Sequence, residues 1–564
     1  MPQRKRFLTA ILLGIGIFTL IIASAIAAAQ SDYWRNSTKE DFEAGTMDRV
    51  DVWRQPGVAQ LDKTWSPGNK VNDDAEQSRD NPNLTFALSG TQSIFLIVWD
   101  DERTQDHYSD IYFDRSLDGK AWFSDTLISG AHPMGKSKTN PDIAVRATDS
   151  SYWVVWQDTR NDDGDIFYTK SDNGGAAWDA AKAVYTETNA QKLPELVINP
   201  LTGYLFSVWE DERNDEGDIY ISRYNPDVDI AWDAPVQVND ANTSSEQRQA
   251  SLAGGLDGNL YVAWIDERDR DTYDGDIYFS RWLSGTTWGA WSKDIKLNDA
   301  SVDFASTPSV ATASDGSLYV MWYERFSYVD KSYDFRIIVA RSDDQGETWT
   351  RFTAATLPNA GASLSEYENP TMSVNQNGQV YVTWLFDKNI TGVGDDILFA
   401  VSPDKGEHWT EAQVITNTAE STAGPTLAVD FQNRILVAWE NIGVGSNSQI
   451  YASRYPSLNY ANSGEYRSIE YDTGGIAAWG VITWTAITPP GTSLALATRV
   501  MTTTGANWTD WYTPTASGDT LAHPSGRIIQ YRAIFASNGA NTPSLNDVSI
   551  AYQSYQIYLP LVLK

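Results

Sequence analysis

A tryptophan closing an apolar run recurs seven times in this chain, at Trp99, Trp156, Trp209, Trp264, Trp322, Trp384 and Trp439, with spacings of 57, 53, 55, 58, 62 and 55 residues. The sequence around each one repeats a phrase, clearest from Pro141 to Trp178. It has an apolar run after a proline, a turn, a second run ending in the ruler tryptophan, an acidic loop, a third run opening on aspartate, and a turn Ser-x-Asn-x-Gly-x-x-Trp. These runs have strand length and strand composition, and helical periodicity is absent. A repeat of this period with about four strands reads as a propeller blade, so the expected fold is all-β, a seven-bladed β-propeller.

The repeats are not in phase with the ends of the array. Trp65 to Asp73 matches the fourth-strand segments Trp232 to Asp240 and Trp291 to Asp299, yet no earlier strands of a blade precede it. The seventh repeat supplies three strands, Pro425 to Tyr455, and then runs into different sequence. The N-terminal strand is therefore expected to complete blade seven and close the ring, which removes open sheet edges. The propeller spans 65–455. Residues 456–555 show alternating runs separated by Pro, Gly and Asn turns and read as a C-terminal β-sandwich. Residues 30–64 are expected to dock on or complete that domain, with the propeller inserted between, and 556–564 form an apolar C-terminal tail.

Residues 1–29 begin with Arg4, Lys5 and Arg6, continue through an apolar run and end in Ala27-Ala28-Ala29, the pattern of a signal peptide. The expected location is secreted or cell surface, with no membrane attachment after cleavage. The chain has no cysteine, which excludes disulfides and thiolate chemistry. A net charge of -32 argues against nucleic acid as a partner.

The turn between third and fourth strands reads SLDGKAW from Ser116, SDNGGAAW from Ser171, SDDQGETW from Ser342 and SPDKGEHW from Ser402. It resembles the Asp box of the sialidase-like, BNR-repeat propellers, with Ser116, Asp118, Ser171, Asn173, Ser342, Asp344, Ser402 and Asp404 at the structural positions. The C-terminal phrases WGVITW, GRIIQYRA and LNDVSIAY are similar to an accessory β-sandwich of secreted bacterial proteins. A sialidase-like site would need three arginines, a tyrosine nucleophile with a glutamate, and an acid. The resemblance implies Tyr367, Glu368, Glu324 and Asp303 as catalytic candidates, with Arg325 and Arg336 as ligand-binding residues. The family's Arg-Ile-Pro signature is absent: the corresponding region reads Arg79-Asp80-Asn81-Pro82.

If the Asp boxes are third turns, the opposite face carries the loops after each ruler tryptophan, and the ligand funnel is expected there. Those loops repeat Trp-x-Asp-x-Arg at Asp101/Arg103, Asp158/Arg160, Asp211/Arg213 and Asp266/Arg268. A pattern used in four blades points to bracing rather than catalysis. Four blade-to-blade loops carry a cation just before the first strand, Arg79, Lys138, Lys192 and Arg248, which together could present positive charge to an anionic ligand or pair with nearby acids. No cofactor is expected, although Asp162, Asp163 and Asp165 could hold a structural calcium. His107 and His132 fall in funnel-side loops, and Trp508 and Trp511 in the C-terminal domain could stack on sugar. Two functions remain: a non-catalytic module binding a glycan or a surface protein, and a sialidase-like glycoside hydrolase.

Overall fold

The structure is a computed structural model. It describes residues 31–554 apart from 39–40, 43–44, 49, 52–57, 62–64, 74–76, 91, 104–107, 131–134, 215–216, 241–244, 270–274, 300–301, 328–332, 358–365, 388–393, 417–419, 443–446, 456–462, 503–506 and 539–540. The expected signal peptide and C-terminal tail thus lie outside the described residues, as do His107 and His132.

Trp65–Tyr455 form one compact unit of seven four-stranded antiparallel sheets. In blade two the strands are Lys138–Arg146, Ser151–Asp158, Asp165–Ser171 and Lys182–Tyr185, and the other blades repeat this order. Blade seven takes three strands from Ser421–Val429, Ile435–Ile442 and Ser448–Tyr455 and its fourth from Asn69–Lys70. Lys70 pairs with Tyr451, and the Val71 amide donates to the Ile450 carbonyl at 2.8 Å, so the ring closes through the N-terminal strand.

The blades are held face to face by apolar side chains from neighbouring sheets. One cluster joins Leu84, Ile97 and Trp99 of blade one to Leu436, Ala438 and Ile450 of blade seven. Another joins Val98, Ile111 and Phe113 of blade one to Val154 and Trp156 of blade two. Trp99, Trp156, Trp209, Trp264, Trp322 and Trp384 are fully buried, whereas the fourth-strand tryptophans Trp65, Trp122, Trp178, Trp232, Trp291, Trp349 and Trp409 are only half-buried. Middle strands flanked on both faces by other blades read as continuous apolar runs, which is why Ser93 to Trp99 carries so little alternation.

The second compact unit combines 1–64 with 456–564. Ser31–Asn36 pairs with Ser544–Ser554, Thr46–Asp48 with Ser463–Arg467, and Ala59–Leu61 with Ser544 and Leu545. Among the described residues the C-terminal domain is one continuous nine-stranded sheet. Its bend lies in Tyr471–Ile487, which pairs first with Gly526–Ala536 and then, past register shifts, with Ser544–Ser554. The sheet encloses one core containing Trp34, Phe42, Tyr466, Trp479, Tyr531, Phe535 and Ile550.

Candidate functional site

The innermost strand of every blade breaks at one point. Asn81, Asn140, Leu193, Gln249, Thr307, Asn369 and Gly424 all adopt positive φ between 45° and 53°. Six are followed by proline, and Gln249 by Ala250. The first-to-second-strand register shifts at this corner in every blade, as between Asp80 and Asn83 or between Thr139 and Asp142. These are β-bulges: a left-handed residue turns the chain, and proline removes the amide that would have continued the ladder. All seven corners line a central cavity of about 490 Å³. The corner lies near the start of the first strand, beside the residue after the ruler tryptophan. The cavity therefore opens at the end of the blades opposite the Ser-x-Asp-x-Gly turns.

The groups freed by the bulge are taken up by the neighbouring blade. Asn81 donates its amide to Glu440 of blade seven at 2.8 Å, and the amides of Asn140 and Gln249 are bonded by Asp100 and Glu210 of the preceding blades. Two residues after the corner, Asp142 accepts the Leu196 amide of the next blade at 2.5 Å, Glu195 that of Leu252 at 2.8 Å, and Ser251 that of Val310 at 3.1 Å. Burial is the largest influence on these acids. It raises Asp142 to about 7, Glu195 to about 8 and Glu440 to about 7, with Asp142 adding to the rise at Glu195 and Asp80 to that at Glu440. Near neutral pH the cavity wall thus presents amides, prolines and carboxyls that are only partly ionised, and among the described residues no lysine, arginine or histidine lines it.

The Trp-x-Asp-x-Arg loops are built as braces. Asp101, Asp158, Asp211 and Asp266 are fully buried and accept the indole Nε1 of their own ruler tryptophan at 2.8–3.0 Å. Each also accepts the backbone amide of the following arginine at 2.9–3.0 Å. The guanidinium lies 2.5–2.6 Å away and covers an aromatic ring of the third strand at 3.9–4.5 Å. An aspartate whose two oxygens are engaged this way is a hinge pin for the loop.

Glu324 holds the same place in blade five. Its Oε2 accepts Trp322 Nε1 at 2.9 Å, and burial, ahead of all other influences, raises its pKa. Arg336 pairs across from Glu324, covers Phe326 at 4.2 Å and lies 3.5 Å from Asp334. Arg325 alternates to the other side of the blade and lies 5.5 Å from Phe304. Hence Glu324 and Arg325 do not converge, and none of these residues lines the cavity. Asp303, Tyr367 and Glu368 sit in first strands, and their side chains lie outside the described residues.

The row of cations does not face a ligand space either. Arg79 is fully buried, 3.1 Å from Asp101. Lys138 is buried against Asp110 at 2.7 Å, Lys192 pairs with Glu212, and Arg248 with Glu267 at 3.0 Å. The positive patch offered as one reading is replaced by four local ion pairs. Asp162 accepts the Gly164 amide and Asp165 the Asn161 amide nitrogen. Among the described residues no three carboxylates or histidines gather as a metal site.

In the third turns, Ser116, Ser171, Ser342 and Ser402 accept the glycine amide of the turn at 2.7–3.0 Å. Asp118, Asn173, Asp344 and Asp404 accept a later amide at 2.8–2.9 Å. Glycine is required at Gly175, where φ is 83° and a Cβ would meet the Phe113 ring of blade one at 2.4 Å. Third-strand arginines of the preceding blade clasp the turn: Arg341 donates to the Lys405 carbonyl at 3.1 Å and Arg454 to that of Asp118 at 2.9 Å.

The bulge corners were the residues missed in the sequence. Their signal was the proline that recurs shortly before the ruler tryptophan in six repeats, preceded three times by asparagine.

No protein-family model matches this chain, and no curated protein matches it. Solved structures do, at low identity. A protein of unknown function from Dyadobacter fermentans is 15% identical, with 71% of this chain and 99% of that one covered and a TM-score of 0.41. An ulvan lyase of a new polysaccharide lyase family is 12% identical, over 68% and 95% of the two chains, with a TM-score of 0.47. An α-L-arabinanase from Penicillium chrysogenum is 15% identical, over 57% and 93%, with a TM-score of 0.39.

Proposed function

We propose that this chain is an exported recognition propeller that binds a neutral glycan in its funnel and does not turn it over. The observation that carries the reading is the fate of the repeated charges. The Asp–Arg pairs of the funnel-side loops are spent on the ruler tryptophans, and the cavity itself is walled by amides and by carboxyls whose pKa burial has raised. Such a wall offers hydrogen-bond donors and acceptors to sugar hydroxyls and no cation to a carboxylate or sulfate. The signal-like N-terminus supports action outside the cell.

The test is a glycan array on the full chain, with hydrolysis assays on sialosides and neutral glycosides. Ala423 lines the cavity, and Ala423→Trp fills it. The expected result is binding to neutral glycans without turnover, lost in Ala423→Trp. Turnover that disappears in Glu368→Gln would replace this reading with a sialidase-like hydrolase. Capture of a surface protein with no glycan binding would replace it with a protein-binding module.

A further inference from the structure

Outside the propeller, the outer face of the C-terminal sheet gathers three arginines where strand pairing disfavours them. Arg467 and Arg532 are direct cross-strand partners, and Arg499 is diagonal to Arg532, its own partner being Gln530. Like charges placed opposite one another on a sheet repel. Among the described residues one carboxylate, Glu465, is ion-paired here, to Arg467 and to Arg532 at 3.2 Å. Arg499 is bonded instead to the uncharged Gln530 Oε1, at 3.0 and 2.6 Å. Its pKa is lowered, first by burial and then by Arg467, with Glu470 opposing.

Trp508 and Trp511 hold this cluster in place. The Arg499 guanidinium lies 4.3 Å from the Trp508 ring and 4.7 Å from Trp511, and Arg532 lies 4.5 Å from Trp511. Neither tryptophan belongs to the core cluster of the domain. The indoles are occupied by guanidinium planes, which fixes those planes and leaves little ring face for a sugar to stack on. Arg532 Nε is buried with no hydrogen-bond partner, and Arg467 has 47% of its side chain exposed.

We infer that this face is a docking surface for an acidic polysaccharide, whose carboxylates lie on the Arg467, Arg499 and Arg532 guanidiniums. Neighbouring strands lie about 5 Å apart, the scale of one sugar unit, and each planar guanidinium fork suits a carboxylate. In a chain of net charge -32, a cluster of three cations around Glu465, with Glu470 near Arg499, is a local exception that such a polymer would find.

The experiment measures binding of the full chain to polygalacturonate, with neutral dextran as the comparison, at low and high ionic strength. Expected are binding to polygalacturonate alone, weakening with salt, and an affinity about tenfold lower in Arg467→Gln/Arg499→Gln. Arg467→Glu, at the exposed position, reverses charge without disturbing the tryptophan stack and should weaken binding at least as much. Because the site is on the C-terminal domain, Ala423→Trp should leave it unchanged, which separates it from the funnel reading. Absence of polygalacturonate binding, equal binding to dextran, or unchanged affinity in folded Arg467→Glu overturns the proposal.

Discussion

Asp114 should be costing the propeller stability, and replacing it with serine should recover that stability in a pH-dependent way. The corresponding third-strand position in four blades is a hydroxyl that donates to a carbonyl just before the fourth strand. Thr169 donates to Asp179 at 2.7 Å, Ser222 to Asp233 at 2.6 Å, Ser280 to Ser292 at 2.9 Å and Ser453 to Ser66 at 2.6 Å. Blade one has Asp114, 1% exposed, with Oδ1 accepting the Arg115 amide at 2.6 Å and Oδ2 without a partner. Burial, followed after backbone bonding by the charges of Asp125 and Asp73, lifts its pKa from 3.8 to about 8. The folded state thus holds a proton that the unfolded chain releases above about pH 4, so stability falls as pH rises from about 4 to about 8. At pH 7 the full shift would correspond to about 4 kcal/mol, and partial hydration of the group reduces this to roughly 2 kcal/mol. Asp114→Ser should raise stability at pH 7 by about 2 kcal/mol and by about 1 kcal/mol or less at pH 4, where the folded aspartate is protonated and little of the linkage cost has accrued. Urea denaturation of both proteins at the two pH values isolates this group from all other titrations. A variant less stable than wild type at pH 7, or a difference that does not change with pH, would refute the reasoning.

Val71→Pro removes the amide that closes the ring onto Ile450 and should cost about 3 kcal/mol, seen as a lower melting temperature and as protease cleavage near blade seven. Asp211→Ala strands Trp209 Nε1 and Arg213 at once and should cost about 3–5 kcal/mol by denaturation. Gly424→Val forces a branched side chain into φ 51°, where a Cβ would lie 2.8 Å from Glu440 Oε1, and should destabilise by about 2 kcal/mol. Neutral-glycan affinity should decline as pH rises through 7 to 8, because Asp142, Glu440 and then Glu195 ionise in the cavity wall. A titration calorimetry series across that range reads this out, and Glu195→Gln should flatten its upper part.

The blade count and ring closure were legible because they are written repeatedly. A buried tryptophan per blade and a stray fourth strand leave few alternatives. The bracing role of Trp-x-Asp-x-Arg was legible as repetition, but the indole acceptor was not, since only the fold brings Asp101 back onto Trp99. The cations failed as a patch because sequence gives a position along a strand and not its surroundings. Arg79 and Lys138 are buried, while Lys192 and Arg248 are partly exposed beside acids. The funnel corners were hidden because their left-handed backbone is carried by Asn, Leu, Gln and Thr as well as Gly, residues that do not announce positive φ.

The C-terminal sheet is assembled from both ends of the chain, and this sets the order in which the protein can fold. Ser31–Asn36 is synthesised first but has its partner in Ser544–Ser554, so it must wait for the whole of Trp65–Tyr455 to be made. Joining such distant segments directly would carry a large loop-closure entropy. Closure of the ring places Ser66 and Arg454 in contact at 2.9 Å, which leaves about 30 residues from Asn36 to Ser66 and about 90 from Arg454 to Ser544 in place of the whole intervening chain. The finished propeller therefore acts as a template that raises the effective concentration of the two half-domains for each other. A lesion at the closing strand should accordingly be felt twice, as an open ring and as a neighbouring domain that assembles slowly and presents unpaired strands to aggregation while it does.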